Sequence, residues 1–294
     1  MESTEYGSGE ALASAYGGTV HSIFGGSNTK GNIRVSAESA IDKASDCPLN
    51  VTEAYGGGNE AYSEGDLKIT LGCIDFLQEI YGGAKNADVG GDIVLTITSG
   101  HFDRVFGGNN LGGTINGSIT VNIEETGCNP ITIGELYGCG NAAAYTTPDG
   151  KPDPTINIKS FTSIGRVFGG GLGEGAVVTG NPTVNINEVV GANANTTSSF
   201  AGSTRKLLDG TTVTLPVHTA GEIGAIGTVF GGGNAAAVDG DTNVYVGTEP
   251  TITYVSVDES SEPIPVVGVD IRGNVYGGGN AANVTGSTNV VIGQ

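Results

Sequence analysis

Apolar residues recur at alternate positions along this chain, in short runs that each open with a glycine. Ile33 and Val35 follow Gly31; Leu67, Ile69 and Leu71 follow Gly65; Ile93, Leu95 and Ile97 follow Gly91; Ile119, Val121 and Ile123 follow Gly117. The series continues with Val184 and Ile186 after Gly180, Thr242, Val244 and Val246 after Gly240, and Thr288, Val290 and Ile292 after Gly286. A period of two marks a strand with one buried face. The residues in between (Asn122, Asn185, Asn243, Asn289) are polar, as a solvent face requires. No long window shows a helical period, so an all-β chain is predicted.

An aromatic followed by glycines stands ahead of the runs, at Phe24, Tyr55, Tyr81, Phe106, Tyr137, Phe168, Phe230 and Tyr276. By subtraction the steps are 31, 26, 25, 31, 31, 62 and 46 residues, and Phe200-Ala201-Gly202 near the middle of the longest reads as a decayed copy. Four residues after the aromatic comes an asparagine: Asn28, Asn59, Asn110, Asn141, Asn234 and Asn280. One such unit is too small to bury its own apolar face, and stacked units can. The repeat therefore predicts a right-handed parallel β-helix, or β-solenoid, of about nine coils of 25–31 residues, forming one domain over 1–294.

Each column has a structural task in that arrangement. The rings stack, the asparagines form a ladder between neighbouring corners, and Gly277, Gly278 and Gly279 turn a corner with positive φ or allow close approach. Glu79, Arg104, Glu135 and Arg166, each two residues before an aromatic, form a column of alternating charge, read as solvent-facing cross-strand pairs. Residues 1–15 are expected to cap the N-terminal end, and insertions are expected near 145–154, 187–223 and 247–270. Binding residues concentrate on loops carried by a rigid scaffold, which singles out Arg205, Lys206 and His218.

Composition narrows the function. Thirty-one acidic against 12 basic residues give a formal net charge of −19, which argues against nucleic acid and anionic membrane surfaces as partners. Cys47 and Cys73 lie one repeat apart and are placed to bridge; Cys128 and Cys139 sit around one corner, and either free thiols or disulfides fit the four cysteines. With no C-x-x-C, and with His21, His101 and His218 far apart, neither a metal site nor a cofactor is expected. No signal peptide or bilayer-spanning stretch is evident, and the abrupt ends suggest a fragment of a longer secreted protein.

The phrase Val-Tyr/Phe-Gly-Gly-Gly-Asn, followed by the alternating strand, resembles repeats of large adhesin-like secreted β-helix proteins of anaerobic, gut-type bacteria. The resemblance runs through Tyr55, Tyr81, Phe106, Tyr137, Phe168, Phe230 and Tyr276. It implies an extracellular or cell-surface location and a non-enzymatic role, with loops offered to a glycan or a host or matrix protein. Polysaccharide lyases and glycoside hydrolases share the β-helix shape, so a carbohydrate-active enzyme is the alternative, and a passive stalk the second. No catalytic motif maps onto the sequence, and no catalytic residue is expected.

Overall fold

The computed structural model describes residues 11–33, 36–42, 47–126, 128–189, 199–255 and 261–293. Val35 and most of the expected cap (residues 1–10) lie outside the described residues, as do 190–198 and 256–260 within the two long insertions. The chain is all-β with parallel strands, and it alternates between two large sheets strand by strand.

The first sheet holds nine parallel strands: Ala11–Ala15, Ala37–Asp42, Leu67–Gly72, Ile93–Ile97, Ile119–Glu124, Thr155–Ser160, Thr183–Ile186, Thr242–Val246 and Thr288–Ile292. Its register is the alternating pattern made physical. Ile69, Leu95, Val121, Ile156, Val184, Val244 and Val290 lie in one file. Burial along Ile93–Ile97 alternates in step with the sequence, apolar residues inward. On the opposite face Asn157 donates to Asn122, and Asn185 to Asn157, each at 3.0 Å. Residues 11–15 are thus an edge strand of this sheet, paired with Ala37–Ile41.

The second sheet holds Gly18–Phe24, Leu49–Tyr55, Ile74–Tyr81, Gly100–Phe106, Thr132–Tyr137, Ser163–Phe168, Ala225–Phe230, Asp270–Ile271 and Val275–Tyr276. The inward faces of both sheets line one continuous apolar core. A three-stranded parallel sheet of Tyr145–Thr146, Val178–Thr179 and Val238–Asp239 occupies a corner. Tyr145, expected at the start of a loop, therefore belongs to a strand.

This architecture corrects the expected right-handed parallel β-helix of about nine coils of 25–31 residues. Among the described residues the strands divide between two large open sheets of nine strands each, beside a third of three, and do not wind as a closed wall around the core. Nor are the repeats uniform, since Phe168 pairs directly with Phe230, 62 residues later. Phe200 is no copy of the aromatic; it forms an antiparallel bridge with His218 inside the insertion. Each strand satisfies its hydrogen bonds within its own sheet, so chain of any length can leave at a corner without disturbing the register. Two such excursions are antiparallel hairpins, Ser203–Lys206 with Thr212–Leu215 and Thr251–Val255 with Ser261–Pro265.

Two further expectations are revised at the corners. Positive φ falls on the alanine five residues after the aromatic, at Ala142, Ala235 and Ala281 (φ 50°, 52° and 55°), and on none of Gly277, Gly278 and Gly279. Close approach is the task of Gly277 and Gly279, where a Cβ would stand 2.8 Å from Thr288 Cβ and 2.7 Å from the Gly233 carbonyl oxygen, while one on Gly278 would meet nothing within 4 Å. The disulfide joins Cys73 to Cys128, with Cα atoms 5.2 Å apart, leaving Cys47 and Cys139 free. The corners of Cys73 and Cys128 lie two repeats apart, and the loop of Cys128 reaches across the Ser99 corner between them, where Asn129 donates to the Ile74 carbonyl at 3.1 Å; Cys47 is exposed and Cys139 buried.

Candidate functional site

The aromatic residues form one file. The rings of Phe24, Tyr55, Tyr81, Phe106, Tyr137, Phe168, Phe230 and Tyr276 stack at 4.8–4.9 Å between centroids, near the spacing of hydrogen-bonded strands. The asparagines join in pairs: Asn59 donates to Asn28, Asn141 to Asn110 and Asn280 to Asn234, at 2.8–2.9 Å. The file is interrupted where Asn86 arrives one residue late and where Leu172 replaces asparagine. Asn110 and Asn234 also donate to the hydroxyls of Tyr55 and Tyr137, tying the two columns together. These residues are engaged with one another and offer little to a ligand.

The second sheet's outer face carries the charges. Glu79 pairs in register with Arg104, Arg104 with Glu135, and Glu135 with Arg166. The expectation of a solvent-facing column is corrected by burial, since Arg104 is 5% exposed and Glu135 only 1%. The cover is the Ser203–Leu215 hairpin, which lies across the strands Thr132–Tyr137 and Ser163–Phe168. Gly165 admits it, because a Cβ there would stand 2.5 Å from Val213 Cγ1. From the hairpin, Asp209 pairs with Arg104, which also bonds Glu135 Oε2 at 3.2 Å. Burial opposes the charge of Arg104, but Glu135, Asp209 and Glu79 outweigh it and raise its pKa.

The three loop residues singled out from the sequence do not converge. Arg205 points inward and clamps the hairpin, donating to the Phe102 carbonyl at 2.8 Å and to Thr132 Oγ1 at 2.9 Å. Burial lowers its pKa, partly offset by Asp103 beside it. Lys206, the next residue on the strand, points outward and is exposed. His218 is buried, and burial depresses its pKa.

The hairpin does not cover the whole sheet. Beside it lies an open cleft of about 390 Å³, lined by Arg166, Thr212, Thr214, Thr228 and Arg272, with backbone from Gly165, Gly227 and Gly273. Its floor is flat because Gly165, Gly227 and Gly273 succeed one another, and a Cβ on either of the last two would strike the preceding glycine's carbonyl at 2.3 Å. Arg166 is held by Glu135, and Arg272 by Asp270 at 2.9 Å, so each guanidinium keeps further N–H groups for a ligand. Two guanidinium groups, a polar threonine lining and open backbone suit a polyhydroxylated molecule of a few rings. No metal-binding group of three or more His, Cys, Asp or Glu residues occurs among the described residues.

Sequence reasoning missed this cleft. Its trace was the Ile-Gly-x-Val pattern of Ile164-Gly165-Arg166-Val167 and Ile226-Gly227-Thr228-Val229, whose glycine makes the floor and whose third residue makes the wall. Which part would stay uncovered depended on where the hairpin folded back. Compared with known proteins, the chain matches no family model, no curated protein and no solved structure.

Proposed function

We propose that this chain is a non-enzymatic, adhesin-like binding protein of the cell surface or extracellular space, and that the cleft beside the Ser203–Leu215 hairpin takes a glycan. The observation carrying the reading is the cleft itself, where Arg166, Arg272, Thr212, Thr214 and Thr228 line a flat glycine floor. The scaffold beneath is rigid, the hairpin is clamped by Arg205, and the remaining surface is strongly acidic. That acidity disfavours nucleic acid as the partner. The cleft's modest size suits a saccharide better than the broad face of a protein.

A glycan and matrix-protein array, followed by calorimetric titration of the strongest glycan, tests the reading. Arg272→Ala removes a guanidinium whose only described pairing is with Asp270, and Thr228→Tyr fills the cleft. Each is expected to weaken binding roughly tenfold or more, the effect of losing a charge-assisted hydrogen bond. Glycan binding indifferent to both changes, or sustained turnover of a polysaccharide, would overturn the assignment.

A further inference from the structure

We propose that the cleft selects acidic saccharides, a carboxylate of the bound sugar completing the charged file of the second sheet. The inference rests on the glycan reading of the cleft and names its ligand class. Along the file, the register sets Glu79 beside Arg104, Arg104 beside Glu135, Glu135 beside Arg166, and Arg166 beside Thr228. The sign of the charge alternates through four strands and stops at the fifth, where the pattern calls for an acid. Arg104 has an acid on either side, Glu79 and Glu135. Arg166 has Glu135 on one side and a neutral hydroxyl on the other.

The covering hairpin does not make up the difference. To Arg104 it lends the carboxylate of Asp209, but to the cleft beside Arg166 it presents only Thr212, Val213 and Thr214. Beyond Thr228 the next strand brings a second cation, Arg272, whose amide donates to the Ile226 carbonyl at 2.8 Å. Arg166 and Arg272 thus stand on the strands to either side of Thr228, each about 4.8 Å away at the backbone, and both line the cleft. No Asp or Glu lines it, an exception on a chain of net charge −19. The acids behind the two guanidinium groups leave them partly unsatisfied. Glu135 is divided between Arg104 and Arg166, and Asp270 meets Nε and Nη2 of Arg272 through the single oxygen Oδ2 at 2.9 Å. A carboxylate has two oxygens and about four lone-pair sites, so one seated over Thr228 can accept from both guanidinium groups and from the threonine hydroxyl. A neutral sugar hydroxyl has one oxygen and no charge to offer the same donors. Ring hydroxyls of the sugar are left for Thr212 and Thr214 along the wall.

Calorimetric titration with matched pairs tests this: an oligogalacturonate, a glucuronate-containing oligosaccharide and a sialylated oligosaccharide, each beside its carboxyl methyl ester. At least one acid is expected to bind about tenfold or more tightly than its ester, the effect of a charge-assisted hydrogen bond, with the gap narrowing as salt rises. Thr228→Glu places the absent acid within the chain and is expected to abolish that preference, with a melting temperature unchanged or raised. Thr228→Gln has the same bulk without the charge and is expected to keep the preference. Arg272→Gln is expected to reduce it. Esters bound as tightly as their acids overturn the inference and leave the glycan reading standing. Equal loss of preference in Thr228→Glu and Thr228→Gln overturns it as well, because crowding alone would then account for both. Should no saccharide bind, neutral or acidic, the glycan reading falls and this inference falls with it.

Discussion

The two sheets have the same strand count and nearly the same rise from repeat to repeat, yet they treat their outer faces differently. In the first sheet the outer face meets solvent and burial alternates: Ile119–Glu124 is buried, half-buried, buried along its length. In the second, Thr132–Tyr137 is buried at all six positions because the Ser203–Leu215 hairpin lies over it. One sheet is an interior with a surface. The other, beneath the hairpin, is an interior on both sides, and its outer interior is charged. Covering an outer face turns cross-strand ion pairs from small surface effects into groups that must be fully paired.

The sharpest way to break that comparison lies in the first sheet. Val244 is fully buried while its neighbour Asn243 is half-exposed on the other face. Val244→Asp places an unpaired carboxylate in the core and is expected to cost on the order of 5 kcal/mol. Asn243→Asp is expected to change stability by under about 0.5 kcal/mol, as surface substitutions do. Urea denaturation measures both, and equal losses would mean that the inner and outer faces have been misassigned.

The first sheet was readable from the sequence for the reason this pair exploits: water on one face imposes the period-two pattern. The aromatic file was readable too, because Phe24 to Tyr276 share one environment and so one residue type. The covered outer face of the second sheet was not. Glu135 and Arg166 have the composition of a surface, and only the hairpin, contributed from a segment some 70 residues after Glu135, makes Glu135 interior. The disulfide was missed for a related reason, since sequence spacing favoured Cys47 with Cys73 while a loop crossing the Ser99 corner brings Cys128 to Cys73. The cleft escaped because it is defined by where the hairpin stops.

A second test acts on the covered face directly. Glu135 bonds Arg104 and Arg166 at once, with 1% of its surface exposed. Glu135→Ala takes from Arg166 its carboxylate partner and from Arg104 one of three, leaving it Asp209 and Glu79, and is expected to cost about 3 kcal/mol, the low end for breaking a buried pair. If the column were the surface feature its sequence suggests, the loss would stay below about 1 kcal/mol. Denaturant midpoints at matched slopes decide between the two.

The corner linking the sheets offers a smaller, pH-dependent test. Glu125 directly follows the first-sheet strand Ile119–Glu124 and is fully buried. Its Oε2 accepts from the Ile131 amide at 2.7 Å and from Thr162 Oγ1 at 2.9 Å, while Oε1 has no hydrogen-bond partner. Burial raises its pKa from 4.5 to about 7, against the lowering effect of those two donors. The nearby Glu188 is driven well above the ordinary range by burial, with the charges of Asp270 and Glu125 adding to it. A raised carboxyl pKa means that the folded state binds the proton more tightly than the unfolded state does. Stability from this site is therefore fully present below about pH 4.5 and falls as pH rises to about 7, by about 3 kcal/mol. Falling pH also relieves the general repulsion of a chain at −19, so the wild-type curve alone does not isolate the site. Glu125→Gln does, because the amide oxygen keeps both hydrogen bonds and cannot ionise. The variant is expected to match the wild type at about pH 4.5 and to melt at a higher temperature at about pH 7.5. Parallel melting curves for the two proteins across that window would place Glu125 in water, and the joint between the sheets would then be open where the structure closes it.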